Sequence, residues 1–179
     1  MITKLKPLPD IVKKNLKILF VGTSPGVRSS KIGHYFAGKS NVFWRLLFES
    51  GLTKILLTTQ EDRKLLHYGY GLTDVVKTPT RSVSDIKQHY TIKSTRRLNR
   101  MMNLFNPKIV AFVGKTGFRI YSQDNYSKLE YGFQYKYKEI RIFLLPSTSG
   151  QSYADTKYCE KLTWYEGLNN YQKRILNSK

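Results

Sequence analysis

Residues 18–44 read ILFVGTSPGVRSSKIGHYFAGKSNVFW. The stretch opens on four apolar residues in a row, Ile18-Leu19-Phe20-Val21, and breaks at Gly22-Thr23-Ser24-Pro25-Gly26. A continuous apolar run that stops at Gly and Pro reads as a strand buried on both faces and ending in a shaped loop. Such strands belong to parallel sheets covered by helices, and ligands bind where their carboxyl ends deliver loops. The loop carries Arg28, Lys31 and Lys39. Asn41 then stands before VFWRLLFESG, where Val42 and Leu46, and Phe43 and Leu47, recur at helical spacing until Gly51.

The same pattern repeats outward from this stretch. Ile109–Val113 is a second apolar run and ends at Gly114-Lys115-Thr116-Gly117. Glu139–Leu145 is a third and ends at Pro146-Ser147-Thr148-Ser149-Gly150-Gln151-Ser152. Leu72–Val76, with Asp74 inside it, reads as a short extended segment. Helices are expected at 60–68, at 94–105, from about Gly117 to Tyr121, and at 156–175, with a helical turn at 11–16. Residues 124–138 read as a loop or a hairpin. In 94–105, Leu98, Met101, Met102 and Phe105 share one side, while Arg96, Arg97 and Arg100 lean to another, either solvated or facing phosphates. The expected fold is α/β: a single-domain, three-layer α/β/α sandwich with a short, mostly parallel central sheet. Loops 22–40, 114–117 and 146–152 should gather on one sheet edge with Asp74.

Bulk properties narrow the partners. The chain has 179 residues, 40% of them hydrophobic, enough for a real core. Lys plus Arg number 31 against 12 Asp plus Glu, a formal charge of +19. That excess points to a polyanion, most simply nucleic acid, unless it only reflects a Lys-rich proteome. Cys159 is the one cysteine, which excludes an internal disulfide and a cysteine-held cluster or zinc. His34, His67 and His89 are scattered. No apolar run approaches the ~20 residues of a membrane span, and MITKLKPLPD lacks an apolar leader. A cytoplasmic protein is expected.

Familiar motifs fail on spacing. Gly114-Lys115-Thr116 lacks the upstream glycine of a phosphate loop, because Ile109 holds that position. Gly22-Thr23-Ser24-Pro25-Gly26 is not GxGxxG, and Pro25 removes an amide. Nothing in the sequence places His34 or His89 beside Ser24 or Ser147 for a hydrolase triad.

One resemblance remains. GTSPGVRSSKIGHYFAGKSNVFWRLLFESGLT, residues 22–53, resembles the first active-site region of the mismatch-specific uracil/thymine-DNA glycosylases, the second family of the uracil-DNA glycosylase superfamily. That family reads roughly GxNPGxxSxxxGxxFAxPxNxFWxxLxxxGL. YGYGLTDVVKTPT (68–80), IVAFVGKTGF (109–118) and LLPSTSGQS (144–152) are similar to its next three segments, in order. The likeness covers about residues 15–170.

The resemblance implies a monofunctional enzyme that flips uracil, or mismatched thymine, out of DNA and hydrolyses its N-glycosidic bond with an activated water. Phe36 would stack the base. Gly22, Thr23, Gly26 and Asn41 would contact it. Ser147, Ser149, Gly150, Gln151 and Ser152 would form the loop that enters the duplex, and Lys115 is a candidate phosphate contact. The implied partner is double-stranded DNA with uracil or a mismatch, or single-stranded DNA, bound by a monomer with no cofactor and no metal.

The chain departs from the family at the water-holding Asn, which falls at Ser24. A hydroxyl lacks the amide's paired donor and acceptor. Asp74 falls where relatives carry Asn or Lys, so Asp74 with Ser24 is the expected catalytic pair. The alternatives are a glycosylase for another deaminated base such as hypoxanthine, or a weakly catalytic DNA-binding protein of the same fold. Plainer roles also stand: Phe36 as packing, Asn41 as a helix cap, Asp74 in a surface ion pair, Ser147 and Ser149 as turn formers, and Lys115 as structural.

Overall fold

The apolar runs become the centre of a five-stranded sheet. A computed structural model describes residues 5–80, 88–124, 128–150 and 156–177, with backbone alone at 88–91. Its strands are β1 (Ile18–Gly22), β2 (Tyr70–Asp74), β3 (Ile109–Val113), β4 (Gly132–Tyr137) and β5 (Ile140–Leu145). Their order is β2-β1-β3-β5-β4. Only β4 runs antiparallel to its neighbour. Every residue of β1, β2 and β3 is buried, as continuous apolar runs require of strands covered on both faces.

Alternation along the strands divides the core. Ile18, Phe20, Leu72, Ile109 and Ala111 face one cluster, with Phe43, Leu46 and Leu47 of α2 (Phe43–Glu49) and Tyr165 and Leu168 of α6 (Tyr158–Asn177). Leu19, Val21, Val110, Phe112 and Ile142 face the other. There they meet Leu98, Met101 and Met102 of α4 (Gln88–Phe105) and Phe118 and Tyr121 of α5 (Lys115–Ser122). The result is the expected three-layer sandwich. The chain leaves β1 for β2 on one side, and β3 then pairs with β1 on the other. Loops at that reversal can open a crevice.

Four local expectations change. The loop after β1 contains a short helix, α1 (Val27–Ile32), which Gly33 closes at φ 81°. Side chains hold it: Ser29 Oγ accepts the Ala37 N–H at 3.0 Å, and Ser30 Oγ donates to the Lys6 carbonyl at 2.6 Å. The second strand is Tyr70–Asp74, not 72–76, because Gly69 turns at φ 81° straight into it from α3 (Leu65–Tyr68). Val75 and Val76 instead bond beyond the ladder, to the carbonyls of Gly22 and Thr23. Residues 11–16 form no helix: Ile11 bridges to Leu72 of β2, and Asn15 turns at φ 58°. The helix expected at 94–105 begins at Gln88. Within 124–138, where a loop or a hairpin is expected, Gly132–Tyr137 form the single strand β4, which turns at Lys138, φ 54°, and pairs with β5 beyond that range.

Candidate functional site

The carboxyl ends of β1, β2 and β3 open into a cavity of about 450 Å³, within the range of about 300–1,000 Å³ usual for small-ligand sites. Gly22, Thr23, Ser24, Gly26, Phe36, Asn41, Asp74, Ser147 and Ser149 all line it. Register explains the first meeting: β1 and β2 pair in parallel with Gly22 opposite Asp74. A Cβ on Gly22 would lie 2.3 Å from Asp74 Oδ1. Glycine is therefore what lets the carboxylate fold over the end of β1.

Asp74 is only 4% exposed, and its Oδ2 has no hydrogen-bond partner among the described residues. Burial pushes its carboxyl up to about 7, Lys77 and Arg97 pull it back, and Asp10 adds to the rise. A carboxyl balanced near neutrality suits proton exchange with a water.

Phe36 sits at φ 52°, in the left-handed region that a bulky residue rarely adopts. One face of its ring stacks on Phe43, with centroids 3.8 Å apart and planes 18° from parallel. The ring is therefore a braced platform at the cavity wall. Strain of this kind persists where surrounding structure over-determines it, and it concentrates at functional sites. Asn41 combines two placements. Its Oδ1 accepts the Phe43 N–H at 3.0 Å, from one residue before the cap position Val42, and the residue also lines the cavity.

Ser24 is engaged by a residue outside the expected site. Its Oγ lies 2.7 Å from Thr80 Oγ1, which also lines the cavity. Ser147 acts as a turn former, its Oγ accepting the Ser149 N–H at 3.3 Å. Gly150 presses on the loop before α2: a Cβ there would come within 2.1 Å of Ser40 Oγ. Lys115 does not line the cavity, and its Nζ stands 4.7 Å above the Tyr131 ring. Gln151 and Ser152 lie outside the described residues. Among the described residues, no three His, Cys, Asp or Glu side chains gather to hold a metal.

A family profile described as "Uracil DNA glycosylase superfamily" matches residues 9–171. This chain belongs to the uracil DNA glycosylase superfamily. Among solved structures, it is similar to a Methanosarcina acetivorans protein described as a candidate uracil DNA glycosylase and determined by solution NMR. The TM-score is 0.62 at 18% identity, over 94% of this chain and 98% of the other. At that identity the likeness is one of fold.

The groups behind Asp74 carry no motif in the sequence. Asp10 Oδ1 accepts from Thr73 Oγ1 at 2.6 Å and from Lys77 Nζ at 2.7 Å, and its Oδ2 accepts from Arg97 Nη1 at 3.2 Å. Arg97 also donates through Nη2 to the Asp74 carbonyl. Arg97 thus turns inward rather than joining a solvated face. Tyr35, at the cavity wall, donates to the Pro9 carbonyl at 3.1 Å and accepts from Lys77 at 3.1 Å. Burial, with Asp74 and Asp10 nearby, holds its phenol well above the ordinary range, so it keeps its proton.

Proposed function

We propose that this chain is a monofunctional DNA glycosylase of the mismatch-specific kind, excising uracil or mismatched thymine from duplex DNA. The observation that carries the reading is the meeting of Asp74, Ser24 and the Phe36 ring in one cavity at the reversal point of the sheet. Superfamily membership supports the reaction class, and the charge of +19 supports a DNA substrate. The flipped base stacks on Phe36 and meets Asn41 and the 22–26 backbone at its edge. Cleavage is dissociative in character, with electron density leaving on the base and positive charge growing on the sugar. Ionised Asp74 stabilises that sugar cation, then orients and deprotonates the attacking water at C1′. Ser24 and Thr80, two hydroxyls sharing one hydrogen bond, hold the water in place of an amide.

That same pair favours a second reading. In it the two hydroxyls meet the base edge instead of the water, and because they donate or accept alike they match a different edge pattern, such as hypoxanthine. A glycosylase assay on duplexes carrying G·U, G·T, A·U and hypoxanthine tests both. Alkali-labile abasic sites in G·U or G·T support the first reading, and such sites in hypoxanthine duplexes alone support the second. Binding without cleavage in every duplex defeats both and leaves a DNA-binding protein.

A further inference from the structure

Among the described residues, the cations around Asp74 do not ion-pair with it. Lys77 follows β2, Arg97 lies on α4, and both reach a different carboxylate, Asp10, at 2.7 and 3.2 Å. Asp10 comes from the segment before β1, far from every motif of the site. That segment is held as a strap. Leu8 and Ile11 are buried, and Ile11 exchanges backbone hydrogen bonds with Leu72 at 2.9 Å in both directions. Lys6 and Pro9 accept side-chain bonds from Ser30 and Tyr35. Asp10 is thus fixed beside Thr73 and one residue removed from Asp74.

We propose that Asp10 is a positioning residue: by holding Lys77 and Arg97 in ion pairs, it keeps the Asp74 carboxylate free of a paired cation and able to take a water. The cluster balances two cations, Lys77 and Arg97, against two carboxylates, Asp10 and Asp74. It is neutral when Asp74 is ionised and carries one excess positive charge when Asp74 is protonated. The attraction that favours ionised Asp74 is therefore delivered at a distance, without capping its oxygens. Direct pairing would stabilise the carboxylate more and make it a poorer base. Among the described residues, the charged and titratable groups facing this cluster are Asp10 from the strap, Lys77 after β2, Arg97 from α4 and Tyr35 from the loop after α1, with Asp62 behind Tyr35. Tyr35 stays protonated and acts only as a hydrogen-bonding wall.

The proposal rests on Asp74 being the water-activating group, and its test separates the two. The Asp74 side-chain carboxyl carbon is followed by NMR against pH, beside the single-turnover rate on whichever duplex the wild type cleaves. In Asp10→Asn, one anion is lost and Lys77 is released toward Asp74. The Asp74 midpoint should fall by roughly one pH unit, and the rate at pH 8 should drop about tenfold as the carboxylate is capped. Asp10→Glu, which can still pair both cations, should recover most of the rate. Lys77→Gln should move the midpoint the opposite way, upward, and it serves as well if Asp10→Asn does not fold. A merely structural Asp10 would change stability without moving the Asp74 midpoint, and through-space charge alone would lower the midpoint in Asp10→Asn without the loss of rate at pH 8. Unchanged midpoints in folded Asp10→Asn and Lys77→Gln overturn the proposal. Absence of cleavage by the wild type on every duplex overturns the glycosylase reading instead, while the midpoints still judge the network.

Discussion

The two edges of one sheet each hold a cavity, of about 450 Å³ at the carboxyl edge and about 550 Å³ at the amino edge. The carboxyl-edge cavity holds a buried carboxyl, a braced ring and paired hydroxyls. The amino-edge cavity is bordered by Lys17, Lys54, Lys64, Lys173 and His67, and among the described residues no Asp or Glu lines it. Its floor is structural: Asn169 donates to the Ser50 carbonyl at 2.8 Å, and Gln172 donates to Tyr70 Oη at 2.7 Å and to Asn169 Oδ1 at 3.0 Å. The larger cavity therefore lacks the chemistry. Volume does not separate these two places; an ionisable group held out of water, beside groups that position a reactant, does.

The contrast breaks most readily at Asp74. Asp74→Asn should cut single-turnover excision by about 10²–10⁴-fold, whereas Ser24→Ala should cost less. Wild-type rates in Asp74→Asn, with activity abolished in Ser24→Ala, would sink the assignment. Gly22→Ala comes next. Its methyl would meet Asp74 Oδ1 at 2.3 Å, so the carboxylate must move. A loss of about 100-fold in rate is expected, since displacements near 1 Å cost that much, with about 1–3 kcal/mol of stability lost to overpacking in urea melts. Phe36→Ala should lower kcat/KM by roughly tenfold or more, because stacking a base is worth about 1–3 kcal/mol.

A pH series sharpens the same comparison. Asp74 keeps its proton in the folded chain up to about pH 7, while an unfolded Asp loses it near 4. Between those values the unfolded state binds fewer protons, so stability falls as pH rises from about 4 to 7 and levels off above. Asp74→Asn should flatten that slope, gaining on the order of a few kcal/mol at pH 8 relative to pH 4, read from chemical denaturation. Excision should run the other way, rising with pH through about 7 as Asp74 ionises. The smallest effect is expected at the far edge, where Lys173→Ala should change excision by less than about twofold, in line with a surface substitution away from the chemistry.

What could be read beforehand follows from how locally each feature is encoded. Ile109–Val113 was legible to the residue because burial on both faces leaves an unbroken apolar run, and Gly114 marks its end. Glycine, proline and asparagine at 22–41 likewise announced a shaped loop. The short helix at 27–32 was not legible, since its stability lies in bonds from Ser29 and Ser30 to residues outside it. The support behind Asp74 was hidden for a related reason. Lys77 and Arg97 lie 67 and 87 positions along the chain from Asp10, and no periodicity links them. Arg97 even stood among apparently solvated arginines, because helical spacing gives a direction but not what lies there.

The strap has a consequence beyond the site. β2 is one of the two outer strands of the sheet, and its free side is met by Ile11. Gly71 makes this approach possible, since a Cβ there would lie 2.7 Å from the Ile11 carbonyl and 2.6 Å from Leu16 Cδ1. An uncovered outer strand is a template on which another molecule can add its own. The segment that brings Asp10 to the cavity thus also occupies the β2 edge, where another strand could otherwise add. Prising it off would expose a sticky border at the same moment that it unsettled Asp74.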